Sequence, residues 1–317
     1  MRTINQDLSR SHAKSGRLVI TGRLTLSQRK QIWAYVFVTL PFAYFLIVNF
    51  YAMANSFVFS FQNYMTISTQ HSWIGLTNYK NVAADPVFRK ALKNTLIFAA
   101  VRVPIITVLS LGTAMMLHNI KRFKGFFRML YFMPFVTSGV AIAWVFKFLY
   151  LPNFGLFTKL FDALHWQRVY FLGDPRTALG SIIAVTIWAS LGYYTIIFLA
   201  GLEDIPVEFY EAAMVDGANS WRRFRHVTLP LLNRTMVLVI VLCLISSLQN
   251  FTYVRLMSKD GFGGPLNSTL TMSLLIYKEA FFTFRMGRAS AIAVIFFAII
   301  LVATLIQRRL ITREVDY

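Results

Sequence analysis

The sequence predicts an all-α, polytopic membrane protein with six transmembrane helices, and three observations carry that reading. Of its 317 residues 56% are hydrophobic and only 14% charged, with a mean hydropathy of +0.56, which leaves too little polar surface for a soluble domain. Six apolar stretches, 32–59, 95–117, 129–150, 178–202, 235–257 and 289–306, reach the roughly 20 residues that a helix needs to cross a bilayer. The basic residues give a formal charge of +19, yet they punctuate the apolar stretches and form no basic domain. Membrane topology accounts for them, and no nucleic-acid partner is expected.

In chain order, residues 1–31 form a polar tail carrying Arg2, Arg10, Lys14, Arg17, Arg23, Arg29 and Lys30. The apolar run behind it is too long for a signal-peptide core and has no small-residue cleavage site, so it is read as a retained first span. Pro41 lies within it, and a tilt or kink is expected there. Each of the other five stretches is read as one spanning helix. Counting Lys and Arg sets the orientation. With the N-terminus inside, the inner segments (the tail, 118–128, 203–234 and 307–317) hold 18, whereas the outer loops 60–94, 151–177 and 258–288 hold 11. That excess puts both termini in the cytoplasm. The expected organisation is a tail over 1–31, a membrane domain over 32–306 and a second tail over 307–317.

One polar segment sits between the fourth and fifth spans, on the cytoplasmic side by this count: "EAAMVDGANSWRRFRHVTLPLL", residues 211–232. Pro206 suits a helix start, and Glu208 and Glu211 place negative charge near its positive end. Phe209, Ala212, Ala213 and Met214 give this helix apolar surface, and Gly217 ends it. A second short helix begins near Asn219 or Ser220, both capping residues, and Leu229-Pro230 bends the chain into the fifth span. Two small helices held under the membrane make a knob that fits a cleft on a soluble partner.

Here the sequence resembles a known family. Glu211-Ala212-Ala213, Asp216-Gly217-Ala218 and the run from Val227 to Leu232 around Leu229-Pro230 look like the EAA loop of binding-protein-dependent ABC importer permeases. Asn233-Arg234 stand where that family often has a proline. Residues 72–98 and 263–302 resemble the outer loops and spans of its carbohydrate-type members. The resemblance implies a type I ABC importer permease fold and a chain resident in the bacterial inner membrane. It implies oligosaccharide import by ATP-driven alternating access, with the EAA loop docking on the ATPase. It also implies the partners: a second, homologous permease subunit forming a heterodimer, two copies of a cytoplasmic ATP-binding subunit, and an extracytoplasmic solute-binding protein. ATP and Mg would belong to the ATPase subunits, with no cofactor in this chain.

The residues themselves offer no catalytic constellation. No G-x-x-x-x-G-K-[ST] loop occurs, so the chain is expected not to be an enzyme. The five histidines are scattered without metal-ligand spacing. The single cysteine, Cys243, lies in an apolar run as an inert buried thiol. A stand-alone ion-coupled carrier or channel would call for acids inside the spans, and the spans carry no carboxylate pair. What they do carry is Trp188, Tyr193 and Tyr194 on the fourth, and Ser246, Ser247, Gln249 and Asn250 on the fifth. Aromatic faces and hydroxyl or amide groups suit a sugar path. Arg102, Lys147 and Arg255 are the basic residues within spans, all expected toward the outer ends. Arg102 is the path candidate among them, and Lys147 is expected to snorkel to the interface. The outer loops add 11 Lys and Arg against Asp85, Asp162, Asp174, Asp260 and Glu279, a balance that would attract an acidic sugar and equally an acidic rim on a docking protein.

Overall fold

The computed structural model describes residues 26–68, 71–120 and 122–311; the expected tails over 1–25 and 312–317 lie outside the described residues. The chain divides into two compact units, 1–54 and 55–317. In the first, α1 (Leu26–Phe45) runs through Pro41 and widens into a π-turn at Leu46–Phe50. It starts before the expected residue 32 because 26–31, Leu-Ser-Gln-Arg-Lys-Gln, consists mainly of good helix formers. The tail expected to reach residue 31 is therefore shorter by that stretch. α2 (Tyr51–Phe59) completes the first apolar segment.

The second unit takes in the end of α2 and continues with a two-stranded antiparallel hairpin, β1 (Gln62–Asn63) and β2 (Ser72–Trp73), and a short α3 (Thr77–Ala84). Asn78 Nδ2 clamps the hairpin by donating to the carbonyls of Ser60 and Gln62, both at 2.9 Å. α4 (Pro86–Asn119) is a single 34-residue helix. Its start is set by Asp85, whose carboxylate accepts the Val87 N–H at 2.7 Å, and by Pro86 in the first turn. The helix thus begins well before the expected residue 95. Arg102 therefore sits near the middle of α4.

The third apolar stretch is not one helix, contrary to the sequence reading. α5 (Lys124–Val136) and α6 (Gly139–Leu149) meet at an 89° bend. Pro134 has no N–H to give the last turn of α5, and Thr137 and Ser138 are extended, with ψ of 141° and 124°. α7 (Leu156–Ala163) follows, then α8 (Ala178–Glu203), which is the fourth span as expected. The polar segment folds as α9 (Val207–Val215), α10 (Ser220–Arg223), a π-turn at Phe224–Thr228 and α11 (Leu229–Leu231).

The fifth stretch is also interrupted. α12 (Asn233–Leu248) enters after a 68° bend and ends at Gln249, before α13 (Thr252–Met257). α14 (Met272–Phe281) precedes α15 (Met286–Ile311), which overruns the expected 289–306 at both ends. Among the described residues four helices are long and apolar enough to cross a membrane alone, and up to six spans result if each bent pair counts as one.

The core lies where α4 packs on α8, and Phe98, Ile106, Ile182 and Phe198 there have no exposed surface. Glycines allow close approach: a Cβ on Gly192 would run into the Tyr131 carbonyl of α5, and one on Gly201 into Thr235. Such small contacts replace the hydrophobic driving force that lipid tails remove.

Candidate functional site

Two surfaces emerge, at different places on the second unit. The first is the segment between α8 and α12. α9 leaves Val207, Phe209, Met214 and Val215 exposed, together with Glu208, Glu211, Ala212 and Asp216, while Ala213 and Ala218 are half-buried. Gly217 stops α9 with φ of +76°. Its N–H donates to the Met214 carbonyl at 3.0 Å, and the Ala218 N–H to that of Ala213 at 2.9 Å, the two bonds of a Schellman end. Asn219 then caps α10 by accepting the Arg222 N–H at 2.9 Å. Tyr210 and Thr228 hydroxyls, 3.1 Å apart, tie α9 to the π-turn. Lys124 and Arg128 of α5 both reach Glu203 at 2.5 Å, joining the start of α5 to the end of α8 beside this knob. Leu229 and Pro230 are half-buried hinge residues leading into α12, away from the exposed face of α9.

The second surface forms where the breaks in the third and fifth stretches meet. A Cβ on Gly139 would lie 3.3 Å from the Tyr253 hydroxyl, so the start of α6 sits against α13. Phe135 stacks on Tyr193 with centroids 4.5 Å apart and planes at 17°. Thr137, Ser138, Ser246 and Gln249 are exposed, and Asn250 is half-buried. The Asn250 Oδ1 has no hydrogen-bond partner.

Behind this face lies a buried cation. Arg102 is 4% exposed. Its Nη1 donates to Ser246 Oγ at 3.0 Å and Ser247 Oγ at 2.7 Å, and its Nη2 to Ser190 Oγ at 2.8 Å. Each of these hydroxyls gives its own proton to a carbonyl of its helix: Ser190 to Thr186 at 2.7 Å, Ser246 to Cys243 at 3.0 Å and Ser247 to Cys243 at 2.6 Å. Their lone pairs are therefore turned toward the guanidinium. Among the described residues no carboxylate pairs with it. Three oriented dipoles solvate the charge without neutralising it. Tyr194, itself buried, adds its hydroxyl 3.0 Å from Ser246 Oγ.

The structure thus gathers Tyr194, Ser246 and Ser247 around Arg102 and stacks Tyr193 on Phe135, while Gln249 is exposed and Asn250 half-buried at the break after α12. Trp188 is exposed elsewhere along α8 and packs on Phe146 at 5.2 Å. Lys147 donates to the Leu256 carbonyl at 3.1 Å and lies over Trp144, bound to a neighbouring helix where snorkelling was expected. Arg255 bonds the Gly261 carbonyl at 2.5 Å and is ringed by Phe262, Tyr277 and Phe282. Asp260 pins that turn: burial alone would raise its carboxyl, but the N–H groups of Phe262 and Gly264 hold it below the ordinary carboxylate range. Arg288 pairs with Asp85 and Glu279, two of the five outer acids. Sequence reasoning missed Phe135, Thr137, Ser138 and Tyr253. Pro134 with Thr137-Ser138-Gly139 three residues on was the available signal.

The second unit thus combines long apolar helices, two of the apolar stretches broken, with an exposed two-helix knob between α8 and α12. The family model for the binding-protein-dependent transport system inner membrane component matches residues 108–315. The chain belongs to this family. It is 35% identical to the lactose transport system permease protein LacF of Rhizobium radiobacter, over 83% of this chain and 88% of that one. It is 32% identical to the multiple sugar-binding transport system permease protein MsmF of Streptococcus mutans, over 88% and 94%. A chain from a bacterial ABC transporter involved in the import of the acidic polysaccharide alginate superposes with a TM-score of 0.79, covering 91% of this chain and 98% of that one. Its 23% identity makes this a likeness of fold. As an inner-membrane component, the chain is the translocation subunit and not the ATPase.

Proposed function

We propose that this permease subunit carries an oligosaccharide across the bacterial inner membrane, with both termini cytoplasmic and a six-span permease domain over 32–306. The observation that carries the reading is the open face at the two breaks. The elements that meet there carry an aromatic pair (Phe135 on Tyr193) and hydroxyl and amide groups (Ser246, Gln249, Asn250), the mixture that sugar rings and their hydroxyls require. The names of relatives that transport lactose or multiple sugars support it. One face and one knob per chain favour pairing with a second, homologous permease. Each knob would then be gripped by one of two ATPase subunits, which hold the ATP and Mg, and an extracytoplasmic binding protein would deliver the sugar. In this scheme Glu211, Ala212, Ala213, Asp216, Gly217 and Ala218 form the coupling element, with Leu229-Pro230 as its hinge. ATP-driven closure draws the two knobs together and biases the bundle outward-open.

The un-neutralised Arg102 favours an acidic sugar over a neutral one, since its field reaches the open face through Ser246. A carboxylate there would be stabilised by a charge that water does not screen. The test is uptake of acidic and neutral oligosaccharides, delivered by the cognate binding protein, by Arg102→Lys and Arg102→Gln. Loss confined to the acidic sugar is expected, larger for Gln. Equal uptake by all three proteins would remove the acidic assignment, and an uncharged cognate substrate would do so too. Loss of all sugar uptake in Tyr193→Ala with Asn250→Ala is expected if the face is the path.

A further inference from the structure

At the end of α4 and α8 opposite the coupling segment lies a cleft of about 730 Å³ that the transport reading does not use. One half of its lining is cationic: Arg89, Lys90, Lys93 and Arg176. The other half is aliphatic: Ile97, Val101, Leu179 and Ile183. No acidic side chain and no aromatic ring lines it, and none of the four cations is ion-paired among the described residues. The aliphatic half continues out of the cleft. Ile97, Val101, Ile105 and Val108 form one stripe of α4 and are 39%, 40%, 41% and 70% exposed, so an apolar track runs from the cations along the length of the helix.

The polar wall is held in place before any ligand arrives. Lys90 Nζ donates to the Leu266 carbonyl at 2.6 Å, and Asn94 Nδ2 donates to the carbonyls of Asn267 and Leu270 at 2.9 Å each. Leu266 and Asn267 are both left-handed, with φ of 50° and 56°. The loop so fixed adds Ser268 to the lining, and its Oγ is buried without a hydrogen-bond partner. Lys93 and Arg176 make no side-chain hydrogen bond among the described residues, so a free hydroxyl and two uncommitted cations share one cleft.

The geometry points to a binding site for an anionic phospholipid, its phosphate held by Lys93, Arg176 and the Ser268 hydroxyl and one acyl chain laid along the α4 stripe. The chemistry excludes the other ligands at hand. A sugar would find no ring to stack on, a metal ion would meet four cations and no carboxylate, and a free inorganic anion would leave the aliphatic half bare. None of Tyr193, Ser246, Gln249 and Asn250 lines the cleft, so it is separate from the proposed path. Basic pockets between spans at headgroup level are how anionic lipids are selected.

The experiment uses the assembled transporter, wild type and Lys93→Gln/Arg176→Gln, in vesicles of phosphatidylcholine with and without phosphatidylglycerol. Retained phosphatidylglycerol is counted by native mass spectrometry and thermal stability is followed in parallel. The wild type is expected to retain phosphatidylglycerol over phosphatidylcholine and to melt higher with it, and the double variant to lose that preference by roughly an order of magnitude. Inorganic phosphate in phosphatidylcholine vesicles is expected to leave the melting temperature unchanged. Equal lipid preference in both proteins would overturn the assignment. So would a phosphate effect as large as the lipid effect, which would make the cleft a plain anion site. An unchanged lipid response with weakened docking of the solute-binding protein would assign the cations to that partner instead.

Discussion

Replacing Gly217 with valine separates a backbone requirement from a packing one. No atom lies within 4 Å of the position a Cβ would take, so valine meets no steric obstacle, and its φ of +76° is the whole difficulty. The left-handed region costs an L-residue about 1–2 kcal/mol, and a β-branched side chain falls at the upper end. The chain can avoid that strain only by unwinding the end of α9. It then gives up the bonds from Gly217 to Met214 and from Ala218 to Ala213, at about 1 kcal/mol each. Either route costs about 2 kcal/mol, or a roughly thirtyfold loss in the population of the docking-ready knob. The assay is sugar uptake and binding-protein-stimulated ATP hydrolysis in proteoliposomes of the assembled transporter, with membrane insertion measured separately. Gly217→Val should insert normally and lose more than about tenfold of its uptake. Gly217→Asn should stay within about threefold of wild type, because asparagine tolerates this conformation. Uptake by the valine variant equal to wild type would refute the reasoning. An asparagine variant as impaired as the valine one would show that side-chain bulk at the interface, and not backbone strain, is at issue.

Other outcomes follow from the same structure. A cysteine at Val215, 88% exposed, should be labelled from the cytoplasmic side only, and one at Leu266, 78% exposed, from outside only; the reverse pattern would overturn the charge-based orientation. Gly192→Ala should reduce the folded yield, since its Cβ meets the Tyr131 backbone and overpacking costs about 1–3 kcal/mol, whereas Gly112→Ala, with open space, should be neutral or slightly stabilising in thermal unfolding. Glu203→Gln should change stability by less than about 1 kcal/mol, because its pairs with Lys124 and Arg128 are substantially exposed; a large drop would show that this junction matters more than an interfacial ion pair should.

The knob was legible in the sequence because every signal that builds it is local. Gly217 ends α9 within three residues of Met214, Asn219 caps α10 within three residues of Arg222, and both bonds formed as the residue types required. The spans were legible for a related reason, since crossing a bilayer is a matter of summed side-chain transfer energy along one segment. The same summation hid the breaks at Thr137–Ser138 and Gln249–Asn250, because a few polar residues barely change the mean of a long apolar window.

By itself, then, the sequence determined the membrane class, the six apolar stretches, the two-helix knob with its caps, and the family resemblance those residues carry. Tertiary structure alone decided which polar residues share a face. Arg102 meets its hydroxyl partners across 88, 144 and 145 residues of chain, and Gly139 meets Tyr253 only because two bent spans turn toward each other. A buried charge in lipid must be solvated by whatever dipoles the packing supplies. Which dipoles those are depends on the packing of α4, α8 and α12 together, and no local pattern in the chain encodes it.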